Sequence, residues 1–259
     1  MKIVIIGAGN LSTHLSKALQ NSGFEIAQVY SRTKATAKVL SDILQVPYTT
    51  SIGNIHRDAS LYIISISDDA IKSVSEDLKF IEGLVIHTSG SVSINVFSSL
   101  FKNYGVLYPL QTFSKTRTVE FSNIPVFLEA NTQENYQTLS TIAKAISNKV
   151  YKATTAERMK LHLSAVFCCN FVNHLYQLSK QIVQQAGFDF SELAPLILET
   201  AHKAVSSGNP KSIQTGPAIR NDQKVIQMHL DYLSSKPEWQ EIYSLISKNI
   251  IQESANYLI

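Results

Sequence analysis

Cysteine is scarce in this sequence. Only Cys168 and Cys169 occur among 259 residues, side by side in a segment whose apolar spacing is helical. Adjacent side chains on a helix point about 100° apart, so a disulfide between these two is not expected, and two thiols supply too few ligands for a metal. The sequence therefore disfavours a disulfide-stabilised secreted domain, and we expect no metal cofactor.

Charge and long apolar runs are also scarce. Asp, Glu, Lys and Arg make up 17% of the chain and leave a formal net charge of +3, which is too small and too scattered for a nucleic-acid surface. No apolar run is long enough to span a membrane, and the first residues lack the charged flank and cleavage site of a signal peptide. We expect a cytoplasmic globular protein that binds neither nucleic acid nor membranes.

The first twelve residues contain the most informative motif. A β-branched segment, residues 2–6, runs into Gly7-Ala-Gly9, and a helical pattern follows at once. One glycine permits a tight turn, the next lets the backbone approach a diphosphate, and the free N–H groups of the helix attract its negative charge. The third small position is Ser12, where Gly or Ala is usual. We expect a dinucleotide to contact Gly7, Gly9, Asn10 and Leu11.

Strand and helix patterns alternate up to about residue 150. Helical patterns cover residues 10–21 and 33–44 and begin again at Asp68, and strand patterns cover residues 25–30, 61–67, 83–87, 104–108 and 125–129. Short βα units in this order predict an α/β fold of the Rossmann type, with a doubly wound, mainly parallel sheet. Such sheets bind their cofactors at the carboxyl ends of the strands.

The pattern changes near residue 151. Residues 154–186 contain no Pro or Gly and have helical apolar spacing, and helical patterns recur at residues 190–206, 218–233 and 238–257. We therefore predict a dinucleotide-binding domain in residues 1–153 and an all-helical domain in residues 154–259.

The end of the second strand indicates which dinucleotide binds. NAD-binding sheets carry Asp or Glu there for the ribose hydroxyls, whereas an Arg accommodates the extra phosphate of NADP. This chain has Ser31, Arg32 and Thr33 and no carboxylate at that point. A basic surface turn that leads into the next helix is the alternative, but it does not explain the missing acid. We expect NADP to bind Arg32, with hydrogen bonds from Ser31 and Thr33.

Two further strand ends are rich in hydroxyl groups and are expected to border the cleft beside the nicotinamide ribose. The candidate cofactor contacts are Ser65, Ile66 and Ser67 after one strand and His87, Thr88 and Ser89 after the next. Local roles as helix caps and turn formers are the alternative for Asp68, Ser89 and Ser91, and both roles are compatible. His87 suits packing as well as it suits ligand contact.

Residues 161–179 contain no Asp, Glu, Lys or Arg. Because an exposed helix normally carries charges on its outer face, we expect this segment to be surrounded by protein. At helical spacing, His162, Asn170 and Asn173 fall in one narrow sector, and buried amides and imidazoles need partners. A small polar substrate is one such partner; hydrogen bonding between helices in a dimer core is the alternative.

The segment Thr215-Gly-Pro-Ala-Ile-Arg-Asn-Asp222 is a further concentrated signal. A rigid turn places Arg220 and Asp222 at the start of a helix. Arg220 suits a substrate carboxylate or a neighbouring chain, and a structural Arg–Asp pair is equally plausible.

Together these segments resemble a known bacterial group. The matching motifs are Gly7-Ala-Gly9-Asn-Leu, His87-Thr-Ser-Gly-Ser91, Tyr108-Pro-Leu-Gln-Thr-Phe113, Leu161-His-Leu…Asn170-Phe-Val-Asn-His174 and Thr215-Gly-Pro-Ala-Ile-Arg-Asn-Asp222. In that group an NADP-binding domain, of the type found in deazaflavin-dependent NADP oxidoreductases, precedes a helical domain of unknown function. The resemblance covers nearly the whole chain and implies an oxidoreductase without naming a substrate.

The chain is more distantly similar to pyrroline-5-carboxylate reductase and to the β-hydroxyacid dehydrogenases. Those relatives dimerise through the helical domain and bind substrate between the domains, so the resemblance implies a homodimer. The β-hydroxyacid enzymes have a catalytic Lys followed four residues later by Asn; here Lys160 is followed by Ser164, so their mechanism is not carried over.

We therefore expect an NADP(H)-dependent oxidoreductase that acts on a small polar carbonyl or imine. His162 is the candidate proton donor, Asn170 and Asn173 are expected to orient the substrate, and Arg220 to hold an anionic group. The thin supply of ionisable groups favours an imine, which demands less acid catalysis. The competing hypotheses are a non-catalytic NADP-binding sensor or scaffold with a closed cleft, and a dehydrogenase that uses a deazaflavin as co-substrate.

Overall fold

The computed structural model describes residues 1–114 and 116–255. Their strands form one eight-stranded sheet in the order β3-β2-β1-β4-β5-β6-β7-β8. The strands are β1 (Lys2–Ile6), β2 (Glu25–Tyr30), β3 (Tyr48–Thr49), β4 (Leu61–Ile64), β5 (Leu84–His87), β6 (Tyr104–Pro109), β7 (Val126–Ala130) and β8 (Val150–Lys152). All neighbouring strands pair in parallel except β6 and β7, which pair antiparallel.

Helices connect these strands and make up most of the remaining chain. They are α1 (Asn10–Asn21), α2 (Lys34–Leu44), α3 (Asp68–Asp77), α4 (Gln133–Ile146), α5 (Thr155–Ala165), α6 (Val172–Gln185), α7 (Ala194–Ser207), α8 (Gln223–Tyr232) and α9 (Pro237–Ala255). None of the helices described is long and apolar enough to cross a bilayer.

The central strands are buried on both faces, which explains their unbroken apolar sequences. Along β1, Ile3 and Ile5 pack into one apolar cluster, while Val4 and Ile6 pack into a second. Side chains of a strand alternate between the two faces of its sheet, so each cluster covers one face. The predicted α/β fold with a Rossmann-type, mainly parallel sheet is confirmed.

The sequence patterns do not predict two short strands and one interruption of a helix. The two-residue β3 and the three-residue β8 are too short to show an alternating pattern. The helix predicted over residues 154–186 is wrong as a single α-helix, because a π-helical segment, Val166–Phe171, separates α5 from α6.

The chain divides into two compact units, Met1–Phe171 and Val172–Ile259. The first contains the sheet, α1 to α5 and the π-helical segment; the regular secondary structure described in the second is entirely helical. The domain boundary that the sequence predicts at residue 153 stays a prediction.

Candidate active site

A cavity of about 600 Å³ lies at the carboxyl ends of β1, β2, β4, β5 and β6, within the first unit. A parallel sheet opens this edge to ligands because its connecting loops diverge there. Most of the predicted site residues line the cavity: Gly7, Gly9, Asn10, Leu11, Ser31, Arg32, Thr33, Ser65, Ile66, Ser67, Thr88, Ser89 and His162. Asp68, Gly90 and Tyr108 line it too, although the sequence alone does not single them out as ligand contacts.

The glycine loop, Gly7-Ala-Gly9, lines the cavity at the end of β1. Gly7 has φ +113°, and a Cβ there would lie 2.1 Å from the backbone oxygen of Ser65, so no other residue fits. A Cβ on Gly9 would meet nothing within 4 Å. Ser12, the departure from the usual motif, is buried and donates a hydrogen bond of 3.0 Å to the Ser65 oxygen, which links α1 to β4.

The start of α1 fits a diphosphate. No side chain caps this helix, and its first turn holds no acidic residue. The first N–H groups of an α-helix have no acceptor within the helix, and the dipole favours an anion at that point. The open space beside Gly9 lets phosphate oxygens approach the backbone.

The end of β2 fits the 2′-phosphate of NADP. Arg32 is exposed on the cavity wall and forms no hydrogen bond or ion pair with any residue that the structure describes. The Thr36 hydroxyl lies 2.8 Å from that of Ser31 and also contacts that of Thr33, so three hydroxyls are grouped on the part of the cavity wall that Arg32 also lines. A free guanidinium beside clustered hydroxyls matches the donor pattern that a phosphate monoester requires.

Hydroxyl groups and one carboxylate border the middle of the cavity. The Ser89 hydroxyl accepts hydrogen bonds from the backbone N–H groups of Ser91 (3.1 Å) and Val92 (3.0 Å), which orders the loop after β5. The Ser91 hydroxyl donates to the Asp68 carboxylate at the start of α3. Ser89 therefore forms a turn and also lines the cavity, whereas no side chain caps the start of α3.

His87 lies behind this loop. Its ring is fully buried, and its Nδ1 accepts a hydrogen bond of 3.2 Å from the Ser89 N–H. Burial, helped by the positive charge of Arg158, lowers the pKa of His87 to about 3, so the ring is neutral. His87 supports the loop and does not line the cavity; its contact with the cofactor stays a prediction.

A tyrosine–histidine pair also lines the cavity. The Tyr108 hydroxyl lies 3.3 Å from His162 Nδ1, and burial raises the pKa of Tyr108 to about 12. A Cβ on Gly90 would lie 2.7 Å from Tyr108 and 2.9 Å from His162, so only glycine lets the loop approach both side chains. His162 is half-buried on the cavity wall and is the ionisable group best placed to transfer a proton there.

Comparison with known structures identifies the family. The crystal structure described as "putative NADP oxidoreductase BF3122 from Bacteroides fragilis" is 44% identical, covers 97% of this chain and 98% of that chain, and superposes with a TM-score of 0.91. The chain belongs to this family of NADP oxidoreductases. Residues 2–89 match the family model described as "NADP oxidoreductase coenzyme F420-dependent". Residues 124–250 match the model of a domain of unknown function, DUF2520. The predicted resemblance and the predicted cofactor are confirmed.

More distant structures share the fold of this oxidoreductase. A 1-pyrroline-5-carboxylate reductase from Streptococcus pyogenes is 15% identical over 98% of both chains, with a TM-score of 0.63. An imine reductase from Myxococcus stipitatus, solved in complex with NADP⁺, is 12% identical over 99% of this chain and 95% of that chain, with a TM-score of 0.64. No curated protein matches the sequence.

Three predicted residues of the oxidoreductase are not among those that line the cavity. Asn170 is exposed in the π-helical segment of the first unit, and Asn173 and Arg220 are exposed residues of the second unit. A π-helical segment interrupts the helix between His162 and Asn173, and the 100° spacing behind the predicted sector holds only along an uninterrupted α-helix. The sector itself stays a prediction. The substrate roles of Asn170, Asn173 and Arg220 stay predictions.

Arg220 forms no ion pair with Asp222 among the described contacts. The Asp222 carboxylate instead accepts a hydrogen bond of 3.2 Å from the Val225 N–H and caps α8. The helical start that the sequence predicts for Asp222 is therefore confirmed, and the alternative of a structural Arg–Asp pair is not.

Proposed function

We propose that this protein is an NADPH-dependent reductase of a small polar C=N or C=O compound. The proposal is carried by the continuity of one cavity, which runs from the free guanidinium of Arg32, past the glycine loop, to the His162–Tyr108 pair. Bound NADPH would supply the hydride. The protein's own part is to hold the substrate, exclude water and deliver one proton to the nitrogen or oxygen that receives the new electron pair.

His162 is the proposed proton donor. As an imidazolium, its Nδ1–H donates to the Tyr108 hydroxyl and its Nε2–H remains for the substrate. Tyr108 stays a neutral phenol throughout, because its pKa is raised to about 12. The Tyr108 hydroxyl therefore orients the imidazole and does not replace it as the acid.

The charges on the cavity wall favour an imine over an acidic substrate. Among the described lining residues, Asp68 is the sole carboxylate and Arg32 is the sole Lys or Arg. With Arg32 assigned to the cofactor phosphate, Asp68 leaves a negative charge near the reactive groups. The iminium that forms as His162 protonates the imine nitrogen is a cation, so Asp68 would stabilise it, whereas it would repel a carboxylate.

A non-catalytic sensor or scaffold is the second candidate. That hypothesis requires a closed cleft without room beside the nicotinamide. The size of the cavity and the presence of His162 on its wall favour an enzyme.

A substrate panel tests the proposal. Cyclic imines and ketones of matched shape are offered with NADPH, and the loss of NADPH absorbance is followed; a deazaflavin acceptor forms a separate arm. We expect turnover of imines, a fall in kcat of about 100-fold or more in His162→Asn, a typical loss for general acid catalysis, and a smaller fall in Tyr108→Phe. His56→Gln, a change at an exposed histidine outside the cavity, is the matched control.

The panel has two outcomes that contradict the proposal. Tight NADPH binding without turnover of any substrate would favour the sensor. Unchanged kinetics in His162→Asn would remove His162 from the mechanism.

We also propose that the protein forms a homodimer through α5 and the π-helical segment. Leu163, Phe167 and Phe171 are 57%, 62% and 50% exposed, so a single chain does not enclose the charge-free segment in the way the sequence predicts. Apolar exposure of this kind marks an interface. Light scattering after gel filtration should give twice the chain mass for the native protein and a monomer for Phe167→Glu. The control Val39→Glu, at a residue that is 50% exposed on α2, should remain a dimer.

A further inference from the structure

Arg158, on α5, has an unusual environment for a charged residue. Its side chain is completely buried, alone among the described Asp, Glu, Lys and Arg residues. Taking an arginine out of water costs several kcal/mol unless its charge is compensated. An apolar side chain of similar size would fill the same space at a lower cost in free energy. Stability is therefore a poor explanation for its presence.

The guanidinium joins three parts of the first unit. Its Nη1 donates to the backbone oxygens of Ser89 (2.8 Å) and Val92 (3.1 Å), and its Nη2 donates to the Glu129 carboxylate (2.8 Å) and to Val92 (3.1 Å). Glu129, at the end of β7, also accepts the N–H of Thr155 at 2.9 Å. The loop after β5, the end of β7 and the first turn of α5 are thus held by one planar fork, a geometry that lysine cannot reproduce.

The guanidinium joins two parts of the protein that line the cavity. Ser89 and Gly90 line it in the loop after β5, and His162, which also lines it, follows Arg158 by four residues on the same α-helix. Residues four apart lie on the same helix face. The guanidinium thereby fixes the position of α5, and with it His162, relative to the Ser89 loop.

We propose that Arg158, with Glu129 as its counter-ion, is a positioning residue that sets the distance between the proton donor His162 and the hydroxyl rim at Ser89. This inference rests on the proposed reductase function for its effect on turnover. Its structural part, the ordering of residues 89–92, does not depend on that function. Nothing in the local sequence identifies Arg158, because its neighbours Glu157 and Lys160 are those of an ordinary exposed helix turn.

The test uses a double variant that removes both charges while keeping similar volumes. Arg158→Met with Glu129→Gln leaves no unpaired buried charge, so folding should survive. The matched control is Lys38→Met with Asp42→Asn, which removes an ion pair whose side chains are each 59% exposed on α2. Both variants are compared with the native protein by substrate kinetics, NADPH titration and hydrogen exchange of residues 89–92.

We expect kcat of the Arg158/Glu129 variant to fall about 10- to 100-fold, which is the loss expected for a displacement of about 1 Å. The Kd for NADPH should change less than about threefold, and the control variant should keep native kcat and Kd. Hydrogen exchange at the Ser91 and Val92 amides should become faster in that variant alone. Unchanged kcat in a protein that does turn over substrate would overturn the inference.

The exchange measurement separates this inference from the proposed function. If no substrate is turned over by the native protein, faster exchange in residues 89–92 still supports the positioning role while the reductase proposal fails; unchanged exchange overturns the positioning role as well. Should the double variant not fold, Arg158→Lys replaces it. Lysine presents all its donors from one nitrogen and cannot reproduce the two separate nitrogens that contact Ser89, Val92 and Glu129, so native exchange and kcat in Arg158→Lys would refute the inference.

Discussion

Gly7 and Gly9, in the loop between β1 and α1, should respond in opposite ways to the same substitution. At Gly7, alanine would place a Cβ 2.1 Å from the Ser65 backbone oxygen and would need φ +113°, so β1 and β4 would have to separate. At Gly9, which has φ −80° and no atom within 4 Å of a Cβ, alanine disturbs nothing in the protein. The methyl group of the Gly9→Ala variant would instead occupy the space in which a diphosphate approaches the start of α1.

The expected magnitudes differ by property. Gly7→Ala should lower the free energy of unfolding by about 3 kcal/mol or more, since the strained φ alone costs about 1–3 kcal/mol and the overlap adds to it. Gly9→Ala should change it by less than about 1 kcal/mol, because a poorer helix cap is offset by a less flexible unfolded chain. Loss of one or two charge-assisted hydrogen bonds to phosphate should weaken NADPH binding of Gly9→Ala by about 2–4 kcal/mol, roughly 30- to 1,000-fold.

Urea unfolding and calorimetric titration with NADPH on the native protein and both variants provide the assay. The reasoning predicts a stable Gly9→Ala protein that binds NADPH poorly. A Gly9→Ala protein that binds NADPH as tightly as the native chain would refute it, because the diphosphate would then lie elsewhere. Native stability in Gly7→Ala would show that the turn after β1 accommodates a side chain at position 7.

Three further predictions concern the cofactor, a helix cap and a buried histidine. Arg32→Ala should weaken NADPH binding by about 1.5–3 kcal/mol, roughly 10- to 150-fold, and leave NADH binding unchanged; equal losses for both nucleotides in calorimetric titrations would contradict the 2′-phosphate assignment. Thr154 and Glu157 form a capping box at the start of α5, so Thr154→Ala should lower the free energy of unfolding by about 1 kcal/mol, as measured in urea, and an unchanged midpoint would argue against the cap. The pKa of His87 is lowered from 6.5 to about 3 by burial, so the unfolded state binds this proton first and the free energy of unfolding should fall as the pH is lowered through that window. His87→Gln should flatten this decline in urea titrations between about pH 7 and about pH 4, and an equally steep decline would assign it to other groups.

The cofactor half of the site is readable from sequence because its determinants are local. Gly7, Gly9 and Arg32 lie within one βαβ unit, and the predicted bounds of β1, α1 and β2 agree with the structure. Burial on both faces gives such strands an unambiguous apolar pattern, and the glycine turn depends on neighbours in sequence.

The reactive end is less readable because it depends on contacts between distant segments. Tyr108 and His162 are 54 residues apart, and the environment of Arg158 is built from β5, β7 and α5 together. The π-helical segment at Val166–Phe171 changes the phase of the helix, and no proline or glycine in the sequence indicates it. His162 lies on the cavity wall as expected, whereas the sector shared with Asn170 and Asn173 stays a prediction.

Calorimetric titration of the native protein with NADPH and with NADH tests the central claim most directly, because the glycine loop, the uncapped start of α1 and the free guanidinium of Arg32 all point to one ligand. The account predicts a measurable heat with both nucleotides and at least about tenfold tighter binding of NADPH. Absence of binding by either nucleotide, or a preference for NADH, would contradict it.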